Sequence, residues 1–174
     1  MLNVLCVVNG YSMENCYIIH NNKYALIVDP GSESNRIINE IEKNKLKVVG
    51  ILITHYHFDH IGALDELENK YKCVVVDYRN KVNKIKCFEY EVIENYGHTM
   101  DSVSYLFKEN KMLFCGDFVF KDTIGDYDDI NEDYMFESLE RFKALDKDII
   151  VYPGHGVSTT VGYEIKHNPY LRGY

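Results

Sequence analysis

No stretch of this 174-residue chain approaches the roughly 20 apolar residues that a helix needs to cross a bilayer. The apolar start, MLNVLCVVNG, is short, has no basic leader and runs into polar residues, so it reads as a first strand and not as a signal peptide. Paired cysteine motifs are missing too. Cys6, Cys16, Cys73, Cys87 and Cys115 are odd in number, form no C-x-x-C and lie, four of the five, in apolar runs. They are expected to be buried reduced thiols, which suits a reducing, cytoplasmic location. Positive charge is scarce: 19 Lys and Arg against 27 Asp and Glu give a formal charge of −8, which opposes phosphate backbones and argues against nucleic acid as a partner. The locally basic RNKVNKIK at 79–86 reads as a solvated face. No internal repeat or low-complexity linker appears, so residues 1–174 are expected to form one domain, and nothing marks the oligomeric state.

What is present is globular: 46% of residues are hydrophobic and 26% charged. Periodicity predicts strands near 2–8, 16–20, 24–29, 48–54, 73–77, 87–95, 102–108, 111–116 and 148–152. Three amphipathic helices are predicted, SNRIINEIEKNK from Ser34, DHIGALDELENKY from Asp59 and YMFESLERFKAL from Tyr134, each with an apolar stripe that reads as core. Strands that pair early and helices interposed later indicate a mixed sheet with helices outside, α+β or α/β.

Polar chemistry gathers behind one of these strands. In THYHFDH, His55 and His57 are two apart just past a strand and project to one side, while Asp59 and His60 turn away at the start of the next helix. Such nitrogen and carboxylate donors suit zinc, with iron or manganese as second choices. His98 in NYGHTMDS and His155 in YPGHGVS each follow a glycine at the end of a predicted strand, and Asp117 in LFCGDFVF ends another, where a carboxylate needs a partner to offset its desolvation. Together they make seven donors, about what two metal ions sharing one carboxylate require. His20 and His167 lie outside such contexts and read as structural or surface residues.

These motifs, with NCYII, ALIVDPG, THYHFDHIG, GHTMDSVSYLF, LFCGDFVF and VYPGHGVSTTVGYEIKHNPYL, resemble the metallo-β-lactamase-fold hydrolases, and within them small proteins similar to glyoxalase II. The resemblance implies an α+β fold, an αββα four-layer sandwich with the metals at the edge where two sheets meet. It also implies that His55, His57 and His98 hold one divalent ion, that Asp59, His60 and His155 hold a second, and that Asp117 bridges them. The activity implied is hydrolysis of a small-molecule acyl thioester or related ester by a hydroxide shared between the ions, with Asp59 also orienting it. Cys115 near Asp117 reads as a core thiol and not a nucleophile. True β-lactamases of the fold generally place Cys or Ser where Asp117 stands, and di-iron flavoprotein relatives carry Glu where His57 stands, whereas lactonases share all seven donors. A persulfide dioxygenase-like enzyme with one iron, and a non-catalytic metal-binding module, are the other readings. The sequence departs from similar proteins after Asp117: where they read G-R-[ST]-D, this chain reads IGDYDDINEDY, with Asp126 in the arginine position. An acidic rim there, and an end at Tyr174 without the basic helical C-terminal domain of glyoxalase II, favour another thiol or a less charged ester over a glutathione conjugate.

Overall fold

Strands whose alternate residues are apolar on both sides must be covered on both sides, and the chain satisfies this with two sheets pressed face to face and helices on each outer surface. The structure is a computed structural model that describes residues 1–172. The first sheet is built from β1 (Asn3–Asn9), β2 (Glu14–His20), β3 (Tyr24–Val28), β4 (Lys47–Leu52) and β5 (Val74–Val76) in that order, antiparallel up to β3 and parallel beyond it. Helix α1 (Ser34–Lys43) makes the crossover from β3 to β4, and α2 (Phe58–Ile61) and α3 (Leu64–Tyr71) make that from β4 to β5. Two short strands, β6 (Lys84–Ile85) and β7 (Phe88–Glu89), form a hairpin on the way to the second sheet.

That sheet contains β8 (Glu91–Glu94), β9 (Val103–Phe107) and β10 (Met112–Gly116); after a small hairpin, β11 (Val119–Phe120) and β12 (Thr123–Ile124), and helix α4 (Glu132–Lys143), it is completed by β13 (Ile150–Pro153) and β14 (Thr159–Thr160). Its order is β14-β13-β10-β9-β8, and α5 (Val161–His167) closes the chain over its outer face. Between the sheets, Tyr17, Ile19, Leu26 and Leu52 of the first meet Val103, Tyr105, Phe107 and Phe114 of the second. The outer face of the first sheet packs Ile18, Ile27 and Ile51 on Ile37, Ile41, Leu64 and Leu67. Leu106, Leu113 and Val151 of the second pack on Leu139, Phe142 and Val161. These three apolar layers define the αββα sandwich. No helix among the described residues is long and apolar enough to cross a membrane.

Several local expectations need correction. The helix anticipated from Asp59 to Tyr71 is two helices, because the chain at Gly62–Ala63 docks on the turn after β3: Ala63 N donates to Pro30 O at 2.9 Å, and a Cβ at Gly62 would lie 2.3 Å from Gly31 O. The strand anticipated over 87–95 breaks at Tyr90, whose amide turns to Asn83 O at 3.0 Å. Helix α5 and the two-residue strands β6, β11, β12 and β14 were not expected, since so few residues carry no readable period. Among the cysteines only Cys16 and Cys115 are buried; Cys6 faces out from an edge strand and Cys87 sits in the turn between β6 and β7, so the expectation of general burial fails. The basic run is a solvated face as anticipated, with Arg79 paired to Asp77, Lys81 to Glu94 and Lys84 to Glu89.

Candidate metal centre

All seven anticipated donors meet at one edge of the sandwich, in the loops that follow strand ends. Residues 53–60 leave β4 of the first sheet, while His98, Asp117 and His155 stand after β8, β10 and β13 of the second. The sheets are tied together here by backbone: Val103 N donates to Thr54 O at 2.8 Å and Asn15 N to Gly154 O at 2.7 Å, while Gly154 N donates to Gly116 O at 2.8 Å within the second sheet. Asn15 extends the tie, its side-chain amide donating to Pro153 O at 3.0 Å and Gly156 O at 2.9 Å, which fixes the loop that carries His155.

The donors fall into two triplets, His55 with His57 and His98, and Asp59 with His60 and His155, the ligand atoms of each lying within 4.8 Å of one another. Asp117 spans them. Its Oδ2 is 3.8 Å from His98 Nε2 and 3.5 Å from His155 Nε2, and its Oδ1 is 3.4 Å from His60 Nε2. Asp59 Oδ2 lies 3.4 Å from His155 Nε2.

Four of the five histidines are held from behind, which leaves Nε2 for the centre. His55 Nδ1 lies 3.0 Å from Thr54 Oγ1, and that hydroxyl donates to Asp29 Oδ2 at 2.6 Å, so His55 is the donor in this chain. His60 Nδ1 lies 3.1 Å from the same Asp29 Oδ2. His98 Nδ1 donates to the Asp126 carbonyl at 2.6 Å and His155 Nδ1 to the Ser12 carbonyl at 3.1 Å. His57 is turned the other way, its Nδ1 facing His98 Nε2 at 3.0 Å. Backing of this kind fixes ring orientation and raises the basicity of the opposite nitrogen.

The inner atoms are short of partners. His55 Nε2, His60 Nε2 and Asp117 Oδ1 are buried and none makes a hydrogen bond, His60 Nε2 and Asp117 Oδ1 meeting only as an ion pair at 3.4 Å, and a buried polar atom left without a hydrogen bond costs on the order of 1–3 kcal/mol. Charge is equally unbalanced. Burial and then the neighbouring His60 push the His55 pKa down to about 2. Burial opposes charge on His60 as well, but the carboxylates of Asp117 and Asp29 outweigh it and raise that pKa to about 10. Burial works against ionised Asp117, yet His155 and His60 hold its carboxyl well below the usual carboxylate range. Nitrogen lone pairs and a carboxylate converging on one buried point fit divalent cations, which supply the missing positive charge.

Glycine leaves the space. A Cβ at Gly154 would stand 2.1 Å from Asp117 Oδ1 and 2.6 Å from His60 Cε1, and one at Gly116, whose φ is +54°, would stand 2.2 Å from Thr54 Oγ1. Cys115 points elsewhere: its thiol contacts Val119 O at 3.4 Å, and burial pushes its pKa up to about 12, so it is a core thiol as anticipated.

Asp29 and Thr54 had been given no role in the site. Asp29 forms a third triplet with His55 and His60, but its oxygens are already occupied by Thr54 N at 2.7 Å, Thr54 Oγ1 and His60 Nδ1, so it orients these histidines and does not join the donor set. The signal that exposed Asp117, a charged residue ending an apolar strand, is also present in ALIVDPG. The backing carbonyls of Ser12 and Asp126 left no such mark, because every residue type has one.

The sequence matches the family described as the metallo-beta-lactamase superfamily over residues 9–85 and 72–155. It is 31% identical to the "Probable metallo-hydrolase YqgX" of Bacillus subtilis over 95% of each chain. It is also 29% identical to the "Hydroxyacylglutathione hydrolase GloC" of Haemophilus influenzae, over 91% of this chain and 92% of that one. Among solved structures, a B3 metallo-beta-lactamase, BLEG-1, superposes with a TM-score of 0.92 at 28% identity, covering 98% of this chain and all of its own (100%). TTHA1623 in a di-iron-bound form superposes with a TM-score of 0.87 at 27% identity, covering 96% and 100%.

Proposed function

Because the chain belongs to the metallo-beta-lactamase superfamily, we propose that it is a dinuclear metallohydrolase of acyl thioesters and related esters. The observation that carries this reading is the set of three buried atoms without a hydrogen bond, His55 Nε2, His60 Nε2 and Asp117 Oδ1, at the centre of two donor triplets. In this reading His55, His57 and His98 would hold one ion and Asp59, His60 and His155 the other, with the Asp117 carboxylate available to both. Zinc is the first choice of metal and iron the second. Bound there, a pair of divalent ions lowers the pKa of a shared water, polarises a carbonyl and stabilises the departing group.

The rest of the chemistry belongs to the chain. Asp59, partly exposed and 3.4 Å from His155, keeps one carboxylate oxygen to accept a hydrogen bond from the attacking water and so aims its lone pair at the acyl carbon. Asp29 and Thr54 keep His55 and His60 from rotating while charge moves through the site. No thiol or hydroxyl of the chain is required as nucleophile.

Similarity to GloC supports a thioester substrate, and similarity to BLEG-1 keeps cyclic amides in the test panel. Elemental analysis of the metal-loaded protein, together with a panel of thioesters, lactones, a β-lactam and a thiol persulfide, tests the reading. Two ions per chain and thioester turnover are expected. One iron per chain with oxygen uptake on the persulfide would replace the hydrolase with a dioxygenase.

A further inference from the structure

Five segments surround the donor cluster, residues 9–15, 53–60, 95–102, 122–134 and 153–158, and none contains a lysine or arginine, Lys121 lying just before the fourth. Two reach the ligand histidines by backbone, through the Ser12 carbonyl to His155 and the Asp126 carbonyl to His98. The side chains beside these contacts are apolar and face solvent. Tyr11, fully exposed, and Met13 flank Ser12; Phe58, 84% exposed, stands between His57 and Asp59; Val157 and Met100 each follow a ligand histidine by two residues; and Ile130, 88% exposed, ends the acidic loop. Phe120 carries the apolar surface inward, its ring edge-on to His155 with centroids 6.2 Å apart. These exposed apolar side chains stand within a few residues of the donors or of the carbonyls that back them, where a bound acyl chain would cover them. Fixed charge on the same edge is of one sign: Asp126, Asp128 and Asp129 are exposed, and no lysine or arginine pairs with them among the described residues.

We infer that this site, read as the hydrolase proposed above, takes an apolar acyl group of several carbons on a carrier without net negative charge. The acyl chain lies against the apolar rim and loses water there, whereas an anionic carrier meets Asp126, Asp128 and Asp129 with no lysine or arginine in their own loop to offset them. In the reaction the water oxygen forms the new bond to the acyl carbon, the carbon–sulfur bond breaks, and the thiolate leaves. Of the two protons of the water, one ends on the departing thiolate and the other is released to solvent. The products are a carboxylate and a neutral or cationic thiol, so a step that makes apolar acyl thioesters of an uncharged thiol must supply the substrate.

The test uses the zinc-loaded protein in two arms. In turnover, acetyl, butanoyl and hexanoyl thioesters of N-acetylcysteamine are compared with the same acyl groups on glutathione and coenzyme A. In binding, the thioethers S-hexyl-N-acetylcysteamine and S-hexylglutathione are compared by calorimetry. For the neutral series kcat/KM is expected to rise about two- to threefold per methylene, below the roughly fourfold that full burial gives. The glutathione esters are expected to be about five- to tenfold poorer, a gap that narrows in about 0.5 M salt. Phe58→Ala should flatten the chain-length dependence, and Asp126→Asn with Asp128→Asn should narrow the carrier gap. Hydrolysis that ignores both chain length and carrier charge overturns this inference and leaves the hydrolase standing. Preferential binding of the neutral thioether without turnover of any ester upholds the ligand class and overturns the hydrolase. Neither binding nor turnover overturns both.

Discussion

The two sheets furnish the metal edge in opposite ways. The first delivers four donors in a single stretch, His55 to His60, and braces two of them with side chains: Asp29, at the end of β3, reaches His60 directly and His55 through Thr54. The second delivers three donors one at a time, from the ends of β8, β10 and β13, and steadies its two histidines with main-chain carbonyls, those of Asp126 and Ser12. A side-chain brace is encoded at one position and is lost with one substitution. A carbonyl brace is encoded in the path of a loop, so it survives substitution at its own residue and fails when the loop moves.

The atom that serves both sheets should be the most sensitive. Asp117→Ala is expected to lower kcat/KM by roughly a thousandfold or more while far-UV circular dichroism stays native, because members of one catalytic unit are not individually dispensable. Activity within a few-fold of the parent would remove Asp117 from the bridge.

Next come the contacts that press the sheets together. Gly154→Ala puts a methyl group into the space shared by Asp117 Oδ1 and His60 Cε1. A displacement of about 1 Å there is expected to cost about a hundredfold in turnover and one bound metal, read by elemental analysis. Full occupancy would show that the loop relaxes and that the two sheets are less rigidly joined than their hydrogen bonds suggest.

The contrast between braces is tested directly by a pair of variants. Asp29→Asn is expected to weaken metal binding about 10- to 100-fold, since one carboxylate holds a histidine from each triplet. Asp126→Ala and Ser12→Ala, whose side chains make no contact with the histidines, are expected to leave metal affinity within about twofold, the backbone carbonyls being unchanged. Equal losses in both sets would erase the distinction between the sheets.

The smallest effect concerns the cores behind the braces. Burial raises the pKa of Cys16 in β2 and of Cys115 in β10, so neither thiolate forms near neutral pH. In the native protein a disulfide reagent should titrate exposed Cys6 and Cys87 first, with Cys16 and Cys115 reacting only after unfolding. Early reaction of Cys115 alone would show that the second sheet opens more readily than the first.

What the sequence determined by itself was whatever is periodic or dense. Alternating apolar runs gave the principal strands, three-to-four spacing gave α1 and α4, and donors packed into THYHFDH pointed to the candidate metal site. His98, Asp117 and His155 were also singled out, since a charged or imidazole group closing an apolar strand is costly unless something binds it, and the structure brings them to the same edge. The tertiary structure alone decided the rest. It divided the helix at Gly62, because that backbone lies against Gly31 O, and it made α5 and the two-residue strands, which are too short to show a period. It gave Asp29 its place behind two histidines, chose the carbonyls of Ser12 and Asp126 as their counterparts, and brought five segments free of lysine and arginine to one edge. The reason is physical: a strand or helix is set by neighbours a few residues away, whereas a hydrogen bond from His155 to Ser12 depends on two sheets closing 143 positions apart in the chain.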